Sequence, residues 1–152
     1  MADIVKIDNF TGQYTASSTL GQLWLTEAVT LGDGISIHWT DTTNPGAVQG
    51  ESYRKCLASE DTYDFVGVAA QTTTAAGYTS VYLRGVVPVA NVTSAAAVAI
   101  GDKLSIGATE GQLIEYIGTD PELRVVGVCL TTPATNLASI LLYGHPKFIS
   151  PS

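Results

Sequence analysis

The chain has few charged residues. Asp, Glu, Lys and Arg make up 14% of its 152 residues, against about 25% in an average soluble domain. Acidic residues outnumber basic ones by 14 to 7, and the basic residues are scattered singly except for Arg54 and Lys55. Because nucleic-acid binding needs clustered basic side chains that neutralise phosphates, we do not expect a nucleic acid as partner.

Cysteine and long apolar runs are also scarce. The two cysteines, Cys56 and Cys129, lie in unlike contexts, which predicts two buried thiols rather than a disulfide framework. The chain has no run of 18 apolar residues, and its first ten residues lack a basic stretch followed by an apolar one. We therefore expect neither a membrane span nor export through a signal peptide. The length suits one domain that buries its own core.

The sequence also lacks the motifs of common catalytic and metal sites. His38 and His145 have no second ligand at metal spacing, and no nucleophile elbow or phosphate-binding glycine loop is present. Asp33 and Asp102 stand in Gly-Asp-Gly and Gly-Asp-Lys, which is not the context of an aspartic dyad. We expect no catalytic residue, no metal and no cofactor, and we predict that the chain is not an enzyme.

What is present indicates strands. Apolar and polar residues alternate with period two in YTSVYLRGVVPV and GQLIEYI, and Gly, Asp, Asn or Pro separates such segments. The 19 threonines favour strands as well, and a threonine-rich, charge-poor exterior suits either protein contacts or simply a stable domain with a neutral surface. The one helix candidate, TSAAAVAI, is interpreted as the approach to a strand. The sequence predicts an all-β chain.

The chain contains an internal repeat. Residues 28–37 read AVTLGDGISI and residues 97–106 read AVAIGDKLSI, and two further blocks that begin with Val-Gly-Val, 66–85 and 126–144, match in the same order. We infer a duplicated unit that spans residues 28–85 and 97–144. One copy offers too few strands to bury both faces, so two copies are expected to form a small barrel or sandwich around a shared core.

The repeated Gly-Asp pairs predict tight turns. Glycine supplies a positive φ, and the aspartate carboxylate binds nearby backbone N–H groups. The four residues assigned to these structural turns are Gly32, Asp33, Gly101 and Asp102.

The copies differ in length, and a separate segment precedes them. The first copy has about nine extra residues between residues 37 and 66, which are expected to form loops. Residues 1–24 have too few apolar residues for a core of their own, so they are interpreted as an N-terminal arm before a single β domain at 25–152. We expect the arm to reach a neighbouring subunit or another protein, although DIVKI is also compatible with an edge strand.

Residues 63–106 and the block VVGVCLTTPATNLASILLYG resemble the capsid decoration, or cement, proteins of tailed bacteriophages. The resemblance lies in VGVAA, AAGYTSVYLRGVV and AAAVAIGDKL. It implies a barrel or β-tulip-like module, usually a homotrimer, that is made in the host cytoplasm and attaches to the outer surface of an icosahedral virion. Its partners would be itself and the major capsid protein, whose subunits it would bridge and stabilise. The family has no catalytic residues to transfer.

Eight apolar or aromatic residues are candidates for such interfaces: Ile4, Ile7, Phe10, Tyr14, Trp24, Trp39, Tyr143 and Phe148. The alternative function is a small carbohydrate-binding or adhesion module, in which Trp24 or Trp39 stacks on a sugar.

Overall fold

The computed structural model describes residues 18–38, 52–58, 64–118 and 125–143, and every regular element among them is a strand. This confirms the all-β prediction, and the candidate helix at 93–100 forms bends and turns instead. The strands of the described part are β1 (Thr19–Leu25), β2 (Gly34–Ile37), β3 (Ser52–Lys55), β4 (Phe65–Ala69), β5 (Gly77–Asn91), β6 (Lys103–Ile106), β7 (Leu113–Glu115), β8 (Gly127–Cys129) and β9 (Leu137–Leu142).

The first five strands form a closed barrel. Hydrogen-bonded neighbours follow the order β1-β3-β2-β4-β5, and an additional pairing between β1 and β5 completes the circle. Leu25 shows the closure, since it pairs with Tyr53 of β3 in parallel and with Gly77 of β5 antiparallel. Closure removes the free strand edges of this barrel.

Strand β5 is shared by two barrels. Its first half pairs with β1 and β4, and its second half pairs with β9, which continues through β8 and β6 to β7. A bridge between Val92 and Leu113 connects β7 back to the end of β5. The β5–β9 register shifts between Val87 and Ala90, because Pro88 lies there and has no N–H for the ladder.

The two barrels repeat the same strand pairings, an arrangement that a duplicated unit would produce. Ile35 pairs with Gly67 in the first barrel, and Leu104 pairs with Gly127 in the second. A Cβ at Gly67 would lie 2.1 Å from the carbonyl oxygen of Tyr82, and one at Gly127 would lie 2.3 Å from that of Leu141. Each Val-Gly-Val strand therefore needs its glycine, because the neighbouring backbone passes where a side chain would stand.

The equivalent pairings of the two barrels begin before residue 28. The N–H of Thr26 donates to the carbonyl of Tyr53 (2.9 Å), and the N–H of Thr93 donates to that of Leu113 (3.0 Å). Strand β1 is thus the counterpart of the second half of β5. Residues 19–24, which the sequence analysis counts with the arm, belong to the first barrel, and residues 1–17 lie outside the described residues.

The two hydrophobic cores are built from equivalent positions. Each buried apolar residue of the first cluster, which lies in the first barrel, has a buried counterpart in the second cluster, which lies in the second barrel. The pairs are Leu25 and Val92, Val29 and Val98, Ile35 and Leu104, Val66 and Val126, Ala69 and Cys129, and Val81 and Ile140. The second cluster also contains Cys56, Phe65 and Val68 from the first repeat, so it extends across the joint between the barrels. Both cysteines are buried free thiols, as the sequence analysis expects.

Candidate functional site

The two Gly-Asp turns have the same local geometry. Gly32 and Gly101 adopt φ values of +99° and +92°, in the left-handed region that favours glycine. A carboxylate oxygen of Asp33 accepts the N–H of Thr30 at 2.9 Å, and one of Asp102 accepts the N–H of Ala99 at 2.8 Å. Each carboxylate thus closes its own turn.

The surroundings of the two turns differ, because the second barrel covers only the first turn. Asp33 is 8% exposed. Its second carboxylate oxygen accepts a hydrogen bond from Nδ2 of Asn91 (3.3 Å), and Oδ1 of Asn91 accepts one from Nε2 of Gln112 (3.2 Å). Asp33 therefore belongs to a polar network that joins the first repeat to strand β5 and to the hairpin of the second repeat.

Residues 107–112, the β6–β7 hairpin, dock on the first repeat through backbone hydrogen bonds. The N–H of Gly34 donates to the carbonyl of Gly111 (2.7 Å), and the N–H of Gly111 donates to that of Cys56 (2.8 Å). A Cβ at Gly111, where φ is +75°, would lie 2.8 Å from Oδ1 of Asp33. The close fit at this joint thus depends on the absence of a side chain at residue 111. At the exposed rim of this joint, Nζ of Lys55 lies 3.8 Å from Oε1 of Glu110.

Within the described residues, no hairpin docks on the corresponding surface of the second repeat. Residues 101–103 and 115–118 line a cavity of about 500 Å³ beside the Asp102 turn. Two large apolar residues flank it: Ile117 is 76% exposed and Ile100, next to Gly101, is 66% exposed. These are the two most exposed large apolar side chains in the described part of the chain. The sequence does not distinguish them, because an exposed isoleucine in a turn has the same sequence pattern as a buried one.

Of the eight predicted interface residues, Trp24 and Tyr143 lie within the described residues. Trp24 lies half-buried in β1 and packs edge-to-face against Tyr78, with ring centroids 5.2 Å apart. Its Nε1 is buried and makes no hydrogen bond within the described residues, an environment unlike that of an open sugar-stacking ring. Tyr143 is exposed after β9. The remaining six lie outside the described residues: Ile4, Ile7, Phe10, Tyr14, Trp39 and Phe148.

The described residues contain no group of His, Cys, Asp and Glu that could hold a metal ion. Burial raises the pKa of the Cys129 thiol; its hydrogen bond to the Thr131 carbonyl (2.9 Å) opposes this, and the charge of Asp102 adds to it. A thiol held in its protonated form is a poor nucleophile. Neither Asp102 nor Cys129 forms part of a recognisable catalytic arrangement.

Within the described ranges, no helix has the length and hydropathy needed to span a bilayer.

Comparison with known proteins identifies the family. No curated protein matches the chain. The family model for phage cement proteins matches residues 22–143, from within β1 to the residue after β9, and so includes both barrels. The chain therefore belongs to the phage cement protein family, a family of structural proteins of the phage capsid.

Proposed function

We propose that this chain decorates the outer surface of an icosahedral phage capsid, where it bridges neighbouring major capsid subunits as a homotrimer and stabilises the shell. The family match over residues 22–143 carries this proposal. In this account the chain is made in the host cytoplasm and joins the capsid without contacting nucleic acid or membrane. The negative net charge of −7 supports the absence of nucleic-acid and membrane contacts, since it disfavours binding to phosphate-rich surfaces.

The distribution of exposed apolar residues supports a role in protein contacts. Leu31 and Ile100 occupy equivalent turn positions, Tyr78 and Leu137 occupy equivalent strand positions, and all four are exposed. Such side chains lie on both barrels rather than in one enclosed cleft. A trimer that makes several weak contacts at once gains avidity, because each bound contact raises the effective concentration of the next.

We further propose that the N-terminal arm contributes to attachment. Ile4, Ile7, Phe10 and Tyr14 give the segment apolar anchors in a polar context, which suits a segment that gains order against a partner. Because β1 begins at Thr19, a deletion of residues 1–17 removes none of the described strands. We expect the truncated chain to keep its melting temperature and to bind capsids more weakly.

Co-sedimentation with empty, expanded capsids of the phage that encodes the chain tests the proposal. We expect the purified chain to pellet with capsids at a saturating ratio, and the decorated shells to resist heating better than bare shells. Absence of co-sedimentation at micromolar concentrations would overturn the proposed attachment. Binding to a glycan array without binding to capsids would favour the carbohydrate-binding alternative. Undiminished capsid binding after deletion of residues 1–17 would remove the role of the arm alone.

A further inference from the structure

One outer face of the second barrel carries several exposed apolar side chains. In β9, alternate residues are buried in the core, and the residues between them point away from it. The second half of β5 and strand β8 flank β9 on its two sides. We call the outward side of these three segments the β9 face. Its large exposed apolar residues are Leu130, Leu137, Leu141 and Tyr143.

The strand register places these side chains next to one another. Leu141 pairs with Val86 of β5 on one side and with Val128 of β8 on the other, and directly paired residues point to the same side of a sheet. Leu130 follows β8 directly, and its N–H donates to the carbonyl of Ser139 in β9 (2.8 Å). The β9 face is therefore one continuous apolar surface, and an exposed surface of this kind marks a contact with another molecule.

The β9 face also lacks the acidic residues that are common in the chain. Acidic residues outnumber basic ones by 14 to 7 overall, but none of the outward positions of the β9 face is acidic. The charged residue at its edge is Arg84, which is exposed beside the pair of Gly85 and Leu142. An acidic partner, which the net charge of the chain would repel, meets no like charge on this face.

The equivalent face of the first barrel shows that the fold does not require apolar residues here. The counterpart of β9 in the first repeat is the first half of β5, which β4 and β1 flank. There Arg84 stands where the second repeat has Tyr143, and Gln22 of β1 donates a hydrogen bond to Ser80. Because the same pairings form with polar side chains in the first barrel, the apolar character of the β9 face calls for a reason outside the chain's own packing.

A strained turn leads into the β9 face. Ala134 and Leu137 exchange two backbone hydrogen bonds of 2.9 and 3.0 Å, so Thr135 and Asn136 form a two-residue turn, with φ values of +54° and +61°. Positive φ at both positions is the type I′ pattern, which asparagine and glycine accept. A β-branched residue such as threonine opposes it. Thr135 therefore costs stability at an exposed position.

Hydrogen bonds to the end of β5 hold this turn in place. Oδ1 of Asn136 accepts hydrogen bonds from the N–H (2.9 Å) and the hydroxyl (3.0 Å) of Ser94, and the N–H of Val92 donates to the carbonyl of Asn136 (3.1 Å). Among the hydrogen bonds of the described residues, none involves the side chain of Thr135. Backbone strain that its surroundings enforce, and that its own side chain does not offset, is typical of contact positions.

We propose that the β9 face and the turn at residues 134–137 form the surface by which this chain contacts the capsid shell. This inference rests on the proposed function and adds which side of the molecule faces the shell. The match to a family of capsid structural proteins supports the shell as the occupant. The apolar, acid-free character of the face supports direct packing against it, since the buried centre of a protein interface is depleted of charge.

The first test compares the binding of matched variants of the full-length chain to empty, expanded capsids. Leu141→Asp places a charge at the centre of the β9 face, and Leu20→Asp places the same charge on the equivalent face of the first barrel, where Leu20 pairs with Tyr82 and is exposed. Melting curves check that both variants fold. Leu141→Thr, which keeps a strand-forming residue, is made alongside them in case Leu141→Asp does not fold.

We expect Leu141→Asp to raise the dissociation constant for capsids about tenfold or more, because a buried leucine contact is lost. Leu141→Thr should weaken binding in the same direction, and Leu20→Asp should change the dissociation constant by less than about threefold. Equal effects of Leu141→Asp and Leu20→Asp, or undiminished binding of the folded Leu141 variants, overturn the proposal.

The second test uses the strain in the turn. Thr135→Asn removes the β-branch and keeps a polar side chain at the same position. We expect its melting temperature to rise by about 2–4 °C, while its dissociation constant for capsids rises about threefold or more. Thr74→Asn, at an exposed loop position of the first repeat, is the control and should change neither quantity. A stabilised Thr135→Asn that binds capsids as well as the wild type overturns the part of the proposal that concerns the turn.

Sedimentation velocity without capsids distinguishes the shell from a second copy of the chain as the occupant. We expect the wild type and Leu141→Asp to have the same sedimentation coefficient. A lower value for Leu141→Asp would place the β9 face between copies and overturn the proposal. Failure of the proposed function is also distinguishable: a wild type that does not co-sediment with capsids overturns the attachment and this inference together, whereas wild-type binding that Leu141→Asp leaves unchanged overturns only this inference.

Discussion

Replacing Asp33 by alanine should destabilise the fold more than replacing Asp102, although the two residues occupy equivalent turns. Both substitutions remove a carboxylate that accepts a backbone N–H at 2.9 or 2.8 Å, and the loss of such a capping bond costs about 1 kcal/mol. Asp33→Ala also removes the acceptor of Asn91 Nδ2. Leaving this half-buried amide donor unsatisfied costs about 1 kcal/mol more, the lower end of the range for buried groups.

The free energies of unfolding translate into separable melting temperatures. For a domain of this size, 1 kcal/mol shifts the melting temperature by about 2–4 °C. We therefore expect Asp102→Ala to melt about 2–4 °C below the wild type and Asp33→Ala about 4–8 °C below it. Urea unfolding of the same variants gives the free energies directly, and no change in slope is expected if both keep the native fold.

A double-mutant cycle isolates the contribution of the joint. Asn91→Ala is combined with Asp33→Ala and, as the matched control, with Asp102→Ala. The first pair should show a coupling free energy of about 1 kcal/mol, because the two side chains are in contact, and the second pair a coupling near zero. Equal destabilisation by Asp33→Ala and Asp102→Ala, or no coupling between Asp33 and Asn91, would refute the polar network at the joint.

Three further predictions concern packing, charge and thiol chemistry. Gly67→Ala should cost more than about 3 kcal/mol, since its Cβ would lie 2.1 Å from a backbone oxygen. Gly118→Ala should cost only about 1–2 kcal/mol, because its Cβ would have no atom within 4 Å and only the φ of +71° opposes it. Equal losses of unfolding free energy for the two variants in calorimetry would contradict this. Glu110→Ala should change the unfolding free energy by less than about 1 kcal/mol, because its ion pair is exposed, and a larger loss would show that the pair holds the joint. The raised pKa of Cys129 should keep native alkylation by iodoacetamide far slower than in urea. The free energy of unfolding should fall as pH rises above the ordinary thiol pKa, because the Cys129 thiol of the unfolded chain ionises at a lower pH than that of the folded chain. Alkylation of the native protein at the rate found in urea would contradict both the slow alkylation and this pH dependence.

The repeated turns and the Val-Gly-Val strands were predictable because their sequences meet strict steric conditions. Gly32 and Gly101 need positive φ, and Gly67 and Gly127 stand where another backbone passes. Few residues other than glycine meet these conditions. The repeat was therefore visible in the sequence at the positions where the backbone is most constrained.

The correspondence between β1 and the second half of β5 was not predictable in this way. TLGQLWLT and VVPVANVT share only their last residue. The fold requires of them only apolar inward positions, such as Leu25 and Val92, which many side chains satisfy. A strand defined by burial alone leaves a weaker sequence pattern than a turn defined by sterics.

The different surroundings of Asp33 and Asp102 also could not be predicted from the sequence. The two turns read alike over six of ten positions, and their local hydrogen bonds are the same. Only the tertiary placement of the β6–β7 hairpin buries one turn and leaves the other beside an open cavity. A difference that arises from long-range packing has no local sequence pattern.

The most direct test of the account is a cryo-electron microscopy reconstruction of capsids incubated with the purified chain. The account predicts added density on the outer surface of the shell, with two barrels per chain and with each chain contacting more than one major capsid subunit. The density should follow local threefold symmetry. Shells without added density at saturating protein, or density confined to the inner surface, would contradict the central claim.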